Sequence, residues 1–289
     1  MATLKIKVFS DFCTSEVCKE KFEKVCKSHL IENYGEDKEI YITCDDDYTH
    51  AIILNKATPE LKIPKSNVLG LACEPVSFLA LTPEFIEYAK TNIGKYFIGD
   101  KNGLKKPFVE HHGFMWFDHP SPEKVINKKN VMSMIFSEKN TAPGHKYRHA
   151  LIVHIINNNL PIDIYGRGCQ FLPEHLRNRP NIKGVFDNTE PYDDYIFTIS
   201  IENFTSNKYF SEKIITPIMC GTIPIYLGCK NIEKYVKDFY VPMTGVYKND
   251  VALIQDVLQK PYQYMKDVKT TKEEIFDTLN FIKNVKNLF

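Results

Sequence analysis

What this 289-residue chain lacks narrows its identity first. No stretch approaches the roughly 20 apolar residues that a membrane-spanning helix needs. The opening run LKIKVFSDF alternates like a strand and has no long apolar core of the kind a signal peptide carries. Net charge is almost absent, since 37 Lys and Arg oppose 36 Asp and Glu and leave a formal +1. The chain as a whole therefore exerts no pull on nucleic acid or on a membrane surface, and any positive site must be local. Its eight cysteines (Cys13, Cys18, Cys26, Cys44, Cys73, Cys169, Cys220 and Cys229) include no CxxC pair and no zinc spacing. Several lie inside apolar runs, where a thiol packs as a small hydrophobe. The expectation is reduced thiols, no disulfide framework and a cytoplasmic protein. Internal repeats and low-complexity tracts are missing as well.

The rest is ordinary globular material, 43% hydrophobic and 25% charged, and long enough for two domains of roughly 150 residues. Short apolar strands alternate with amphipathic stretches. In the first half the spacing predicts strands at Lys5–Ser10, Glu39–Thr43, His50–Leu54, Asn67–Ala72 and Lys95–Ile98. Glu16–Leu30 carries Cys18, Phe22, Val25 and Cys26 on one helical face, and Thr82 before Pro83 and Glu84 reads as a helix start. A second series runs VMSMIFS, a helix from about Tyr147 to Asn158, PIDIYG, YIFTISI, a helix over Ser211–Cys220, and IPIYLG. Such alternation predicts α/β domains with parallel sheets and crossover helices. The polar, Pro-bearing stretch FDHPSPEKVINKKN marks the boundary, placed at residues 128 and 129, between two Rossmann-like halves facing a cleft.

Ligands of open parallel sheets sit beyond the carboxyl ends of the strands. Four such ends deliver polar residues: Glu202 and Asn203 after Tyr195–Ile201, Gly166-Arg167-Gly168 after Asp163–Tyr165, Ser137–Asn140 after Val131–Phe136, and Glu74 after Val68–Ala72. The helix opening at Ser211 is more specific. Ser211 is a plausible N-cap, and Lys213 in the first turn opposes the helix dipole by a few tenths to about 1 kcal/mol. Either an anion such as a diphosphate occupies the helix start, or Lys213 is a solvated surface cation.

The run YIFTISIENFTSNKYFSEKIITPIMCGTIPIYLG resembles the signature of the α1,3-fucosyltransferases, glycosyltransferase family 10. That signature has an apolar strand ending in F-E-N, a short loop, Y-x-[ST]-E-K, a helix, and G-T-x-P-x-x-x-G. Here it is carried by Glu202, Asn203, Tyr209, Ser211, Glu212, Lys213, Gly221, Thr222, Pro224 and Gly228. Upstream, Ser137, Asn140 and Arg148 match the serine, asparagine and helix-opening arginine of the family, and Tyr165-Gly166-Arg167-Gly168 fits the region before the signature. The resemblance implies a GT-B fold, with an acceptor-side domain over residues 1–128 and a donor domain with a C-terminal helix over 129–289. It further implies transfer of fucose from GDP-fucose to a glycan hydroxyl with inversion. On that footing Arg148, Asn203, Tyr209, Glu212, Lys213, Glu202, Tyr165 and Gly166 are donor-site residues, with Arg148 and Lys213 on the phosphates and Glu212 facing ribose. No metal or other cofactor is then expected, because protein cations can neutralise a leaving diphosphate. The catalytic base of the family is a glutamate in an E-x-P or E-S-P context, and Glu74 stands at the matching place. The serine usual between Glu and Pro is missing here. A different nucleotide sugar (UDP- or dTDP-linked) and a binding protein that has lost catalysis are the alternative readings.

Other signals are weaker. Asp45-Asp46-Asp47 reads as a solvated turn rather than a metal motif. His111 and His112, beside Glu110, are adjacent on a strand and so point to opposite faces. They read as acceptor-cleft residues together with Trp116. Gly166-Arg167-Gly168 lacks a completed dinucleotide fingerprint. Thr270–Phe289 is an amphipathic helix with Ile275, Leu279, Ile282, Val285 and Leu288 at core spacing. Acceptor identity and oligomeric state are not legible.

Overall fold

In the computed structural model, which describes residues 4–28, 31–112, 120, 128–267 and 269–289, the alternation of the first segment becomes a central strand whose Ile6 and Val8 are wholly buried. The chain divides into two units: residues 1–121 with 206–209 and 276–289, and residues 122–205 with 210–275.

The first unit runs β1 (Leu4–Ser10), α1 (Ser15–Ser28), β2 (Ile40–Thr43), β3 (His50–Leu54), β4 (Val68–Leu71), α2 (Val76–Leu79), α3 (Pro83–Asn92), β5 (Lys95–Ile98) and β6 (Phe108–Glu110). All the strands pair in parallel, in the order β2-β1-β3-β4-β5-β6. Parallel strands covered on both faces need apolar side chains on both, and β3 answers with four successive buried residues, Ala51 to Leu54. α1 turns Cys18, Phe22, Val25 and Cys26 inward, as its spacing predicts. α3 begins where Thr82 accepts a hydrogen bond from the Phe85 amide (3.3 Å), with Pro83 in its first turn.

The second unit runs β7 (Asn130–Ile135), α4 (Pro143–Asn157), β8 (Asp163–Tyr165), α5 (Glu174–Arg177), β9 (Ile182–Gly184), α6 (Glu190–Asp193), β10 (Tyr195–Ile201), α7 (Glu212–Met219), β11 (Ile223–Leu227), β12 (Val241–Pro242) and α8 (Tyr247–Gln259). Its sheet is again all parallel, in the order β12-β11-β10-β7-β8-β9. Sequence order therefore reverses between β1 and β3 in the first sheet and between β7 and β10 in the second. In open α/β sheets ligands bind at such switch points.

The C-terminal segment differs from the expectation in two ways. Its apolar positions are buried as predicted, but it forms two helices, α9 (Lys269–Leu279) and α10 (Phe281–Leu288). They break at Asn280, whose side chain accepts from the Lys283 amide (3.1 Å) and caps α10; such a cap is worth about 1 kcal/mol. Residues 276–289 also belong to the first unit rather than to the domain placed at 129–289. The reason is apolar burial: Phe281, Ile282, Val285 and Leu288 join the core formed by β1, β2 and α1, each contributing about 1.5–3 kcal/mol. No disulfide joins cysteines among the described residues, and no described helix is long and apolar enough to cross a membrane.

Candidate active site

The end of β10 organises the second unit. Glu202, the first residue beyond the strand, is only 2% exposed. Its Oε1 accepts from the Ser211 amide at 2.9 Å and its Oε2 from the Ser211 hydroxyl at 2.7 Å. Ser211 is in turn the N-cap of α7, its Oγ accepting from the Lys213 amide at 3.4 Å and from Lys213 Nζ at 3.1 Å. One carboxylate thereby fixes where α7 begins. Lys213 Nζ also lies 2.8 Å from Glu212 Oε1 and 3.6 Å from Glu202 Oε2.

The same tripeptide holds α4. Arg148, 6% exposed, donates to the Ile201 carbonyl and, at 2.9 Å, to Asn203 Oδ1. The Gly144 amide donates to the Asn203 carbonyl at 3.0 Å. A Cβ on Gly144 would stand 1.8 Å from the Glu202 carbonyl oxygen, so only glycine lets the first turn of α4 rest there. A Cβ on Gly228 would likewise meet Glu202 Cγ at 2.4 Å. Two helix starts thus lean on residues 201–203 beside the β7/β10 switch point. Helix starts present backbone N–H groups and the positive end of the helix dipole, a setting that favours anions.

Charge balance follows from this packing. Burial pushes the Glu202 carboxyl above its ordinary value, and Lys213 and Ser211 offset only part of that. Burial also works on Glu212, but the charge and hydrogen bond of Lys213 outweigh it, so that carboxyl sits low. Lys213 is held above its ordinary value because Glu212 and Glu202 overcome its own desolvation. Two carboxylates face two cations, and the Glu212 side chain, 49% exposed, is the open member.

Of the residues singled out from sequence, Arg148, Asn203, Glu202, Glu212 and Lys213 are brought together. Four are not placed as their proposed roles suggest. Glu202 spends both oxygens inside the protein, so it positions its neighbours instead of facing a ligand. Tyr165 directs its hydroxyl to Tyr195 (2.9 Å), which donates to Asp163 (2.6 Å), along the sheet and away from the strand end. Gly166 has φ +112°, and a Cβ there would meet the Phe136 carbonyl oxygen at 2.4 Å, a demand of chain packing. Tyr209 falls in the first unit, where its hydroxyl donates to Glu74 Oε2 at 3.2 Å.

In the first unit Glu74 follows β4 directly before Pro75 and α2. His111 and His112 do not point to opposite faces, because both lie past the end of β6, where strand alternation no longer applies. Their rings are 4.2 Å apart, and burial, with His111 adding to it, pushes His112 down to about 3. Glu110 is paired with Lys208. Trp116 lies outside the described residues. Asp45, Asp46 and Asp47 are exposed and paired with Lys5 and Lys7, the solvated turn expected. At the β1/β3 switch point a cavity of about 290 Å³ opens between Phe9, Ser10, Thr14 and Thr58.

Sequence reasoning missed His145 and Gly144 because it began the α4 helix near Tyr147. The structure begins it at Pro143, four residues earlier. Ala142 offers no capping side chain, and Pro-Gly reads as a loop. The usable signal was Pro143 itself, which is tolerated in a first turn.

Residues 125–266 match the family model described as glycosyltransferase family 10 (fucosyltransferase), C-terminal part. The chain is 28% identical over 159 residues to GDP-fucose protein O-fucosyltransferase 3 of Gallus gallus, covering 53% of this chain and 30% of that protein. It is 33% identical over 109 residues to alpha-(1,3)-fucosyltransferase B of Drosophila melanogaster, covering 32% of this chain and 24% of that one. The chain thus spans less than a third of the length of these relatives. A crystal structure of an α1,3-fucosyltransferase with GDP-fucose superposes with a TM-score of 0.55 at 15% identity, covering 91% of this chain and 82% of that one. That likeness gives the fold: two parallel-sheet α/β units of GT-B type.

Proposed function

From the match of residues 125–266 to the glycosyltransferase family 10 model, we propose an inverting glycosyltransferase that moves L-fucose from GDP-fucose to a hydroxyl of a glycan acceptor. The observation that carries this reading is the anchoring of Arg148 and Lys213 on residues 201–203, beside the β7/β10 switch point. A guanidinium held by a carbonyl and an amide oxygen keeps its fork oriented, and a lysine at a helix start adds a point charge. Together they suit a diphosphate whose negative charge grows as the sugar leaves. Glu212, half exposed beside Lys213, is free to turn to ribose hydroxyls.

Glu74 serves as general base. Its carboxylate takes the proton of the acceptor hydroxyl while that oxygen bonds to the anomeric carbon, and the carbon–oxygen bond to GDP breaks with its electron pair on the diphosphate. Tyr209, donating to Glu74, orients the carboxylate. Transfer proceeds on protein cations alone, so a chelator leaves turnover unchanged.

Calorimetric titration with GDP, UDP and dTDP, repeated on Lys213→Ala, tests the donor assignment. The expected result is micromolar binding of GDP that the substitution weakens about tenfold or more. Preference for UDP or dTDP discards fucose and keeps the fold. Absence of binding to all three moves the non-catalytic alternative to the front.

A further inference from the structure

One buried polar group beside this site has no role in the reading above. His145, in the first turn of the fifteen-residue helix α4, is 5% exposed. Its Nδ1 accepts from the Ala142 amide at 3.1 Å and lies 3.5 Å from the Thr141 hydroxyl. A ring nitrogen that accepts a backbone N–H carries no proton, so in the neutral ring the proton is on Nε2. Nε2 has no hydrogen-bond partner among the described residues. It is not among the fully buried unpaired side-chain atoms, so it keeps an opening to solvent through which a ligand oxygen can meet it.

The charges around the ring indicate what that ligand is. Arg148, Lys139, Lys213 and His149 all act on it electrostatically, and together with burial, the larger cause, they push the ring down to about 4. Arg148 is one helical turn further along α4, and the α4 start rests on Glu202 and Asn203 through Gly144. A charged imidazolium would be repelled from this cluster. A neutral N–H adds a directed hydrogen bond without adding charge.

We propose that His145 is a ligand-binding residue of the donor site, its Nε2–H donating to an oxygen of the diphosphate, while Nδ1 sets the tautomer by capping α4. This rests on the diphosphate reading of the site and does not depend on which base or sugar the donor carries.

The test separates the two nitrogens. Glutamine at this position keeps an acceptor for the Ala142 amide and an N–H donor, whereas glutamate keeps the capping acceptor and loses the donor. Inorganic diphosphate, GDP and UDP are titrated into the wild type, His145→Gln and His145→Glu, with melting temperatures recorded for each. The expected result is diphosphate binding within about threefold of wild type for His145→Gln and at least about tenfold weaker for His145→Glu, with similar melting temperatures. Because a negative charge alone weakens anion binding, ring ¹H–¹⁵N spectra supply a second readout. The signals missing from His145→Gln identify the ring, and added diphosphate should shift Nε2 while leaving Nδ1 in place. Unmoved Nε2 signals on saturation, or equal binding by both variants, overturn the assignment. Failure of the wild type to bind diphosphate or either nucleotide overturns it together with the diphosphate reading. Binding of UDP but not GDP, with Nε2 shifted, discards the fucose donor and keeps His145.

Discussion

The two sheets are alike in size and in their parallel pairing, yet their switch points are built in opposite ways. In the first unit the gap between β1 and β3 opens into a cavity of about 290 Å³ with hydroxyl groups along it. In the second, beside the gap between β7 and β10, Gly144, Arg148 and Ser211 are all engaged on Ile201, Glu202 and Asn203. Open space accommodates shape. A packed set of charges and dipoles fixes positions in advance, which is what stabilising a developing charge requires. On the proposed function, the filled switch point meets the unvarying diphosphate and the open one tolerates a less regular partner.

Substitutions that break the filled side should have the largest effects. Glu202→Ala removes the shared partner of Ser211 and Lys213 from a buried position and should cost about 3–5 kcal/mol of stability, read from calorimetric unfolding; a loss below about 1 kcal/mol would show that α7 starts without it. Lys213→Ala should raise the barrier in kcat/KM by about 3 kcal/mol. Glu74→Gln, on the open side, should lose roughly a hundredfold in turnover with GDP affinity unchanged; undiminished turnover would remove Glu74 from the mechanism.

Acid gives a smaller effect, to which His145 of the second unit contributes alongside His112 of the first. His145 is pushed from 6.5 to about 4 in the folded protein, so below 6.5 the unfolded chain takes up a proton that the folded one refuses. Its contribution is fully present above 6.5 and is lost as pH falls from there through 4, by at most about 3 kcal/mol. His145→Gln should flatten the stability profile across that window by about 2 kcal/mol. At the bottom of the scale, Thr58→Ala at the exposed rim of the cavity should change stability by under about 0.5 kcal/mol.

Much of the scaffold was legible. β3 and β10 fall at the boundaries their apolar runs predict, and Ser211 and Thr82 cap the helices they precede. These features are local: alternation, an N-cap, a proline in a first turn. What escaped is contact between distant segments. Nothing in the spacing shows that Gly144 must clear the Glu202 carbonyl, or that Tyr165 reaches Tyr195. The histidine pair was misread because strand alternation was extended past Glu110, where the strand stops.

The return of α10 bears on the order in which the chain can fold. During synthesis residues 1–121 emerge first, but the face formed by Phe22, Ile40 and Ile42 stays uncovered until Phe281, Ile282 and Val285 arrive. Lys95 waits as long for the carbonyls of Leu288 and Phe289 that receive its ammonium group. The second unit has all its strands well before then. Domains commonly fold from the N-terminal end as they leave the ribosome, whereas the first unit here cannot complete its core until every strand of the second has been made.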